Sequence, residues 1–89
     1  MWDWGEDKRQ ANLAKHGVDF GLMDRFDWLS ADIQVDDRFD YGEVRKSALG
    51  LIGDRLFAVA YTERGEVTRI ISLRKANERE KRQWSTSAR

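Results

Sequence analysis

Seven cations fall between positions 64 and 82 of the chain: Arg64, Arg69, Arg74, Lys75, Arg79, Lys81 and Arg82. Arginine keeps its charge at any working pH and presents forked donors that match the oxygens of a phosphate. The chemistry open to such a series is the binding of a polyanion and the neutralisation of charge that builds on phosphorus. Arg74 has the most favourable position, at the end of a β-rich run and just before a helical segment, where free N–H groups and the positive end of the helix dipole also attract an anion. A plainer use for it is a surface ion pair with an acid such as Glu78, worth ~0–1 kcal/mol. Arg64, in a turn between two β-runs, is exposed under either use.

His16 is the one histidine and the one side chain whose ordinary titration lies near neutrality. At the end of a helix it also suits the negative end of the dipole, an effect of ~0.3–1 kcal/mol. A single histidine excludes a two-histidine acid–base pair. Tyr61 closes an apolar run and has two readings, a phenol offered to a phosphate or base and a core-edge ring with a wet hydroxyl. Asp36, Asp37 and Asp40 lie close together, but neighbouring strand residues point apart and no histidine or cysteine cluster joins them. With no phosphate-binding glycine loop, nucleophile elbow or zinc spacing either, neither a metal nor an organic cofactor is expected.

The elements that must hold these groups are legible from capping and periodicity. Asp3 and Glu6 have capping-box spacing, so a helix is predicted from near Trp4, with Lys15 and His16 in its last turn and Gly17 as the left-handed stop. Asp19 can cap a second short helix whose Phe20, Met23 and Phe26 share a face. Ile33 and Val35 alternate with polar neighbours, and β-runs follow at Val44–Ile52, Leu56–Thr62 and Val67–Arg74. Gly53-Asp54 marks one hairpin and Glu63-Arg64-Gly65-Glu66 a longer one. Connections this short make an antiparallel meander, and the run from Leu56 to Tyr61, apolar on both alternating faces, suits its centre. Strict alternation puts Thr68, Ile70, Ser72 and Arg74 on one face and Arg69 on the other. Ala76 to Trp84 favours helix. The expected fold class is α+β, a small antiparallel sheet of about four strands with two N-terminal helices and one C-terminal helix.

The chain has 89 residues, no cysteine and no proline, which suits one small domain over 1–89 and leaves no disulfide framework. The start of the chain lacks the basic-then-apolar order of a signal peptide and no apolar run reaches membrane-span length, so a cytoplasmic protein is expected. A net charge of zero conceals a division: residues 1–43 carry 11 acidic and 5 basic side chains, residues 44–89 carry 5 and 11. The division suits a basic face for a polyanion, unless the two halves mix in space. Trp2, Trp4, Trp28 and Trp84 are better used in the core or an interface than as base-stacking platforms.

Taken together, Trp4 and Lys8, Asn12, Lys15-His16-Gly17-Val18, Phe20, Asp40-Tyr41-Gly42-Glu43, Tyr61-Thr62-Glu63-Arg64-Gly65 and Arg69-Ile70-Ile71-Ser72-Leu73-Arg74-Lys75-Ala76 come in an order that resembles the BrnT family. The resemblance covers Trp4 to about Trp84. It departs at Gly5, where the family commonly has an acid, and at Leu73. It implies a RelE-like fold and a ribonuclease toxin that inhibits translation and growth, silenced by a BrnA-like DNA-binding antitoxin in a hetero-oligomer, with the ribosome as a further candidate partner. It also marks Lys15, His16, Arg64, Arg74 and Arg79 as site positions. Under that expectation the 2′-hydroxyl of RNA attacks the neighbouring phosphorus without a metal. Arg74 is the main stabiliser, Arg64 its second donor, and His16 or Lys15 assists proton transfer, while Tyr61, Arg69, Arg79 and Lys75 hold substrate. The rival from another class is a non-enzymatic subunit that docks on a protein or nucleic acid through its basic half.

Overall fold

A computed structural model describes residues 2–37 and 42–87 of the chain; Asp40 and Tyr41, which carry part of the resemblance and of the carboxylate group, lie outside them. The elements in chain order are β1 (Trp2–Asp3), α1 (Glu6–His16), a 3-10 helix (Phe20–Arg25), β2 (Asp32–Asp36), β3 (Arg45–Ile52), β4 (Arg55–Arg64), β5 (Val67–Lys75) and α2 (Glu78–Ser87). The fold is α+β, with the strands in one mixed sheet ordered β1-β5-β4-β3-β2.

The expected meander is present: β2 to β5 are antiparallel neighbours, with β4 at the centre. Two-residue turns join Ile52 to Arg55 and Arg64 to Val67, each with a glycine, Gly53 or Gly65, at a φ that other residues adopt only with strain. The second turn is shorter than the sequence suggested, so Arg64 ends β4 instead of riding on a loop. The four-strand expectation misses β1, which lies parallel to β5 through Trp2 and Asp3. A strand of two residues is too short to show a period.

The N-terminal helices also need correction. Asp3 does not cap α1: Gly5 is the N-cap and no side chain closes it, because Asp3 is paired in β1 and its carboxylate accepts from Arg69. At the other end, Lys15, His16 and left-handed Gly17 stand as expected. The second helix is a 3-10 helix of 6 residues, capped by Asp19 accepting from the Gly21 N–H. Three residues per turn align Phe20 with Met23 and lead on to Phe26, and all three are buried.

The sheet divides the core in two. On one face Phe57, Val59, Tyr61, Ile70, Leu73 and Ala48 pack with Val18, Phe20, Met23 and Phe26; Phe20, Ile70 and Leu73 are fully covered, worth ~1.5–3 kcal/mol each. Trp2, Trp4 and Trp28 pack against this cluster, and Phe26 lies against Gly50, where a Cβ would collide with its ring. On the other face Leu49, Leu56 and Ala76 form a smaller cluster with Trp84 of α2. Among the described residues no helix is long and apolar enough to cross a membrane.

Candidate functional site

One irregularity decides where the arginines go. Ala60 of β4 pairs with Ser72 of β5, but the next residue, Tyr61, pairs with Ile70, so Ile71 is left over as a β-bulge. A bulge shifts the side-chain alternation by one. Ile70 beside Tyr61 and Leu73 beside Val59 therefore both enter the larger core, although strict alternation separates them. The same shift overturns the expected separation of Arg69 from Arg74. Paired with Thr62 and Ala58 respectively, they share the face that carries α2.

Cross-strand register fills in that face. Arg45, Thr62 and Arg69 form one row, Ser47, Ala60 and Ser72 the next, and Leu49, Ala58 and Arg74 the third. Small side chains thus floor the middle, with cations at either end. Arg64 lies on this face too, beside Val67, but six residues along β4 from the Arg74 row, about 20 Å at strand spacing. Arg64 and Arg74, expected together at one phosphorus, thus stand at separate ends of the face, each turned to its own carboxylate.

The element after Arg74 supplies what the sequence reading missed. Asn77 caps α2, its side chain accepting from the Glu80 N–H at 2.8 Å while Glu80 accepts from the Asn77 N–H at 2.9 Å, a reciprocal capping box. Thus fixed, Glu80 accepts both forks of Arg74, at 2.7 and 2.8 Å. The acid that meets Arg74 is therefore Glu80 and not Glu78, which pairs with Lys81. The Glu80 side chain is 17% exposed. Hydrogen bonds from Arg74, with smaller help from the Asn77 N–H and the charge of Arg79, hold its carboxyl below the usual range against the opposing effect of burial. The same bonds raise Arg74. This pair sits in a cleft of about 380 Å³ that Arg79, Ser47, Gln34 and Asp36 also line. The Asn-x-x-Glu spacing was visible in the sequence and would have located α2 and Glu80 together.

The other arginines of the face are held by carboxylates as well: Arg69 by Asp3 at 2.9 Å, Arg64 by Glu43 at 3.2 Å, with Arg45 close to the same acid. Four expected site residues lie elsewhere. Tyr61 points to the opposite face from the arginines, beside its strand partner Ile70, 4% exposed, its ring edge-on to Trp28 at 5.3 Å, and burial raises its hydroxyl above the ordinary phenol range. Lys75, past Arg74 in alternation, lines a separate cleft with Arg55, Lys81 and Trp84. Lys15 and His16 end α1, and no hydrogen bond or ion pair among the described residues joins them to the arginine face. His16 lies one helical turn beyond Asn12, whose buried carboxamide donates to the Leu73 and Val18 carbonyls and accepts from the Leu73 N–H. That amide continues the pairing of the β5 edge beyond the short β1. Asn12 is thus a fold-making member of the resemblance. Among the described residues no three His, Cys, Asp or Glu side chains converge on one point.

No curated protein matches the chain. The model of a family described as ribonuclease toxin, BrnT, of type II toxin–antitoxin systems matches residues 4–80, a span that includes Arg74, Arg79 and Glu80. With most of its length in that match, the chain belongs to the BrnT family of ribonuclease toxins of type II toxin–antitoxin systems.

Proposed function

We propose that the protein is a metal-independent RNA endonuclease whose active site is the cleft between β5 and the start of α2. The observation that carries this reading is the bidentate Arg74–Glu80 pair, pinned by the α2 capping box beside Arg79. RNA brings its own nucleophile, so the protein needs a base for the 2′-hydroxyl proton and fixed positive charge for the phosphorane. Glu80 is the base in this reading, in place of His16 or Lys15. Arg74 and Arg79 are the charge, in place of Arg74 and Arg64.

A phosphate entering the cleft competes with Glu80 for the donors of Arg74. Each bond it takes releases the carboxylate from the partner that holds its basicity down, so substrate binding itself readies the base. The 2′-oxygen then attacks phosphorus while its proton passes to Glu80. The bond to the 5′-oxygen breaks, and that oxygen takes a proton from water. The products are a 2′,3′-cyclic phosphate and a 5′-hydroxyl. Arg69 and Arg64 hold flanking phosphates along the same face.

The sheet with α1 and α2 packed against it supports a RelE-like fold in a single domain. On this reading the toxin stops translation and growth until a cognate BrnA-like antitoxin covers it. The test is RNA cleavage by the purified protein in EDTA. The wild type should cut, leaving cyclic phosphate ends. Arg74→Ala should lose ~10²–10³ in rate and Glu80→Gln ~10²–10⁴, and a 2′-deoxy linkage should resist. Folded wild type that cuts neither free RNA nor RNA on translating ribosomes would leave the non-enzymatic docking subunit as the function.

A further inference from the structure

The sheet ends at β2, and among the described residues no other strand pairs with its outer edge. Such an edge presents N–H and C=O groups to which an extended chain can add. The two faces of β2 are sorted by chemistry. Register against β3 puts Ile33 and Val35, opposite Ala48 and Lys46, on the side of the larger core, and Asp32, Gln34 and Asp36 on the arginine side. Ile33 and Val35 are 46% and 61% exposed, whereas Ala48, Phe57, Val59, Tyr61, Ile70 and Leu73, turned to the same side by β3, β4 and β5, are buried. One strand inward, a cleft of about 320 Å³ opens between Ile33, Trp2, Trp28 and Tyr61, with Lys46, Glu63 and Thr68 also lining it, and the buried Nε1 of Trp28 has no acceptor among the described residues.

We propose that β2 is the docking edge for the antitoxin, which adds an extended segment carrying apolar side chains on one face and lysine or arginine on the other. Added strands align face for face with their neighbour. Apolar side chains then cover Ile33 and Val35, one of them reaching the cleft beside Trp28, while cationic ones add to the contact that Gln83 already makes with Asp32 and approach Asp36. A second copy of this chain is a poor occupant. Antiparallel pairing of two such strands about Gln34 sets Asp32 beside Asp36 of the other copy, parallel pairing in register sets like on like, and facing like charges destabilise a sheet. The docking also explains silencing, because Gln34 and Asp36 form the outer wall of the cleft that holds Arg74 and Glu80. A strand laid along β2 narrows access to it.

The inference rests on the toxin–antitoxin reading for the source of the segment. Its test is hydrogen exchange on the complex formed when the chain is co-expressed with the antitoxin of the flanking reading frame. The β2 amides, Asp32 to Asp36, should exchange at least tenfold more slowly in the complex than in the free protein. Ile33→Lys, at an exposed position outside the Arg74 cleft, should bind the antitoxin at least tenfold more weakly and cleave RNA as the wild type does. Equal exchange at β2 in the free and bound forms, or wild-type affinity in Ile33→Lys, overturns the docking while leaving the toxin–antitoxin reading intact. A wild-type chain that captures no antitoxin overturns both.

Discussion

Glu80 joins the fold to the chemistry proposed for the Arg74 cleft. It closes the α2 capping box and receives Arg74, and both contacts favour its charged form. In the unfolded chain a glutamate titrates near pH ~4.3; in the fold the value is lower, so the folded state binds fewer protons in this range and is favoured as pH rises. The contribution is fully present above about pH 5 and disappears as pH falls through the folded value. Glu80→Gln should therefore cost about 1–2 kcal/mol at pH 7, and the gap to the wild type should close under acid. Urea unfolding at pH 7 and at pH 3.5, followed by tryptophan fluorescence, measures both; a gap that stays constant would mean that the charge of Glu80 contributes nothing to the fold. Removing this group is thus expected to affect rate and stability at once, and the acid dependence separates the two.

At the scale of elements, the edge of β5 is completed by Asn12 at Leu73 as well as by β1 at Thr68 and Arg69. Asn12→Ala leaves the Leu73 N–H and C=O without their side-chain partner, and a buried polar group so exposed costs ~1–3 kcal/mol. Asn12→Asp should be worse than Asn12→Ala, since a carboxylate there faces the Leu73 and Val18 carbonyls. Denaturant midpoints in the order wild type, Ala, Asp check this, and the reverse order for the two variants would remove Asn12 from its strand-completing role. These contacts also mark the limit of what the sequence showed. Turn glycines, the stop at Gly17, the Asp19 cap and the apolar run of β4 act through neighbours a few residues away, and each was legible. The bulge at Ile71 was not, because it arises from Ile70 and Leu73 both fitting a core built by distant residues. The common face of Arg69 and Arg74, and so the shape of the candidate site, followed from that packing. Asp3 misled for a related reason: a capping position and a strand position compete for one residue, and pairing with β5 and Arg69 wins.

Over the whole molecule, the acidic first half and basic second half meet. Asp3 holds Arg69, and Glu43 holds Arg64 and lies near Arg45, so the basic face is matched by internal carboxylates before any polyanion arrives. Within the second half, Glu80 does the same for Arg74. In the proposed mode of binding, RNA exchanges one set of anions for another, which should limit affinity and weaken its dependence on salt, since fewer counterions are released than the arginines alone would dictate. Freeing a cation should reverse this. Glu43→Gln removes a charge from an exposed pair, worth about 0.2–1 kcal/mol, so it should tighten binding of a 2′-deoxy-blocked RNA by roughly two- to fivefold and steepen the slope of log affinity against log salt. Fluorescence anisotropy across a salt series reads both quantities. Tighter binding with a steeper slope would mean that RNA displaces the acidic half from the arginine face; unchanged affinity and slope would confine RNA to the Arg74 cleft and leave Arg64 and Arg45 outside its path.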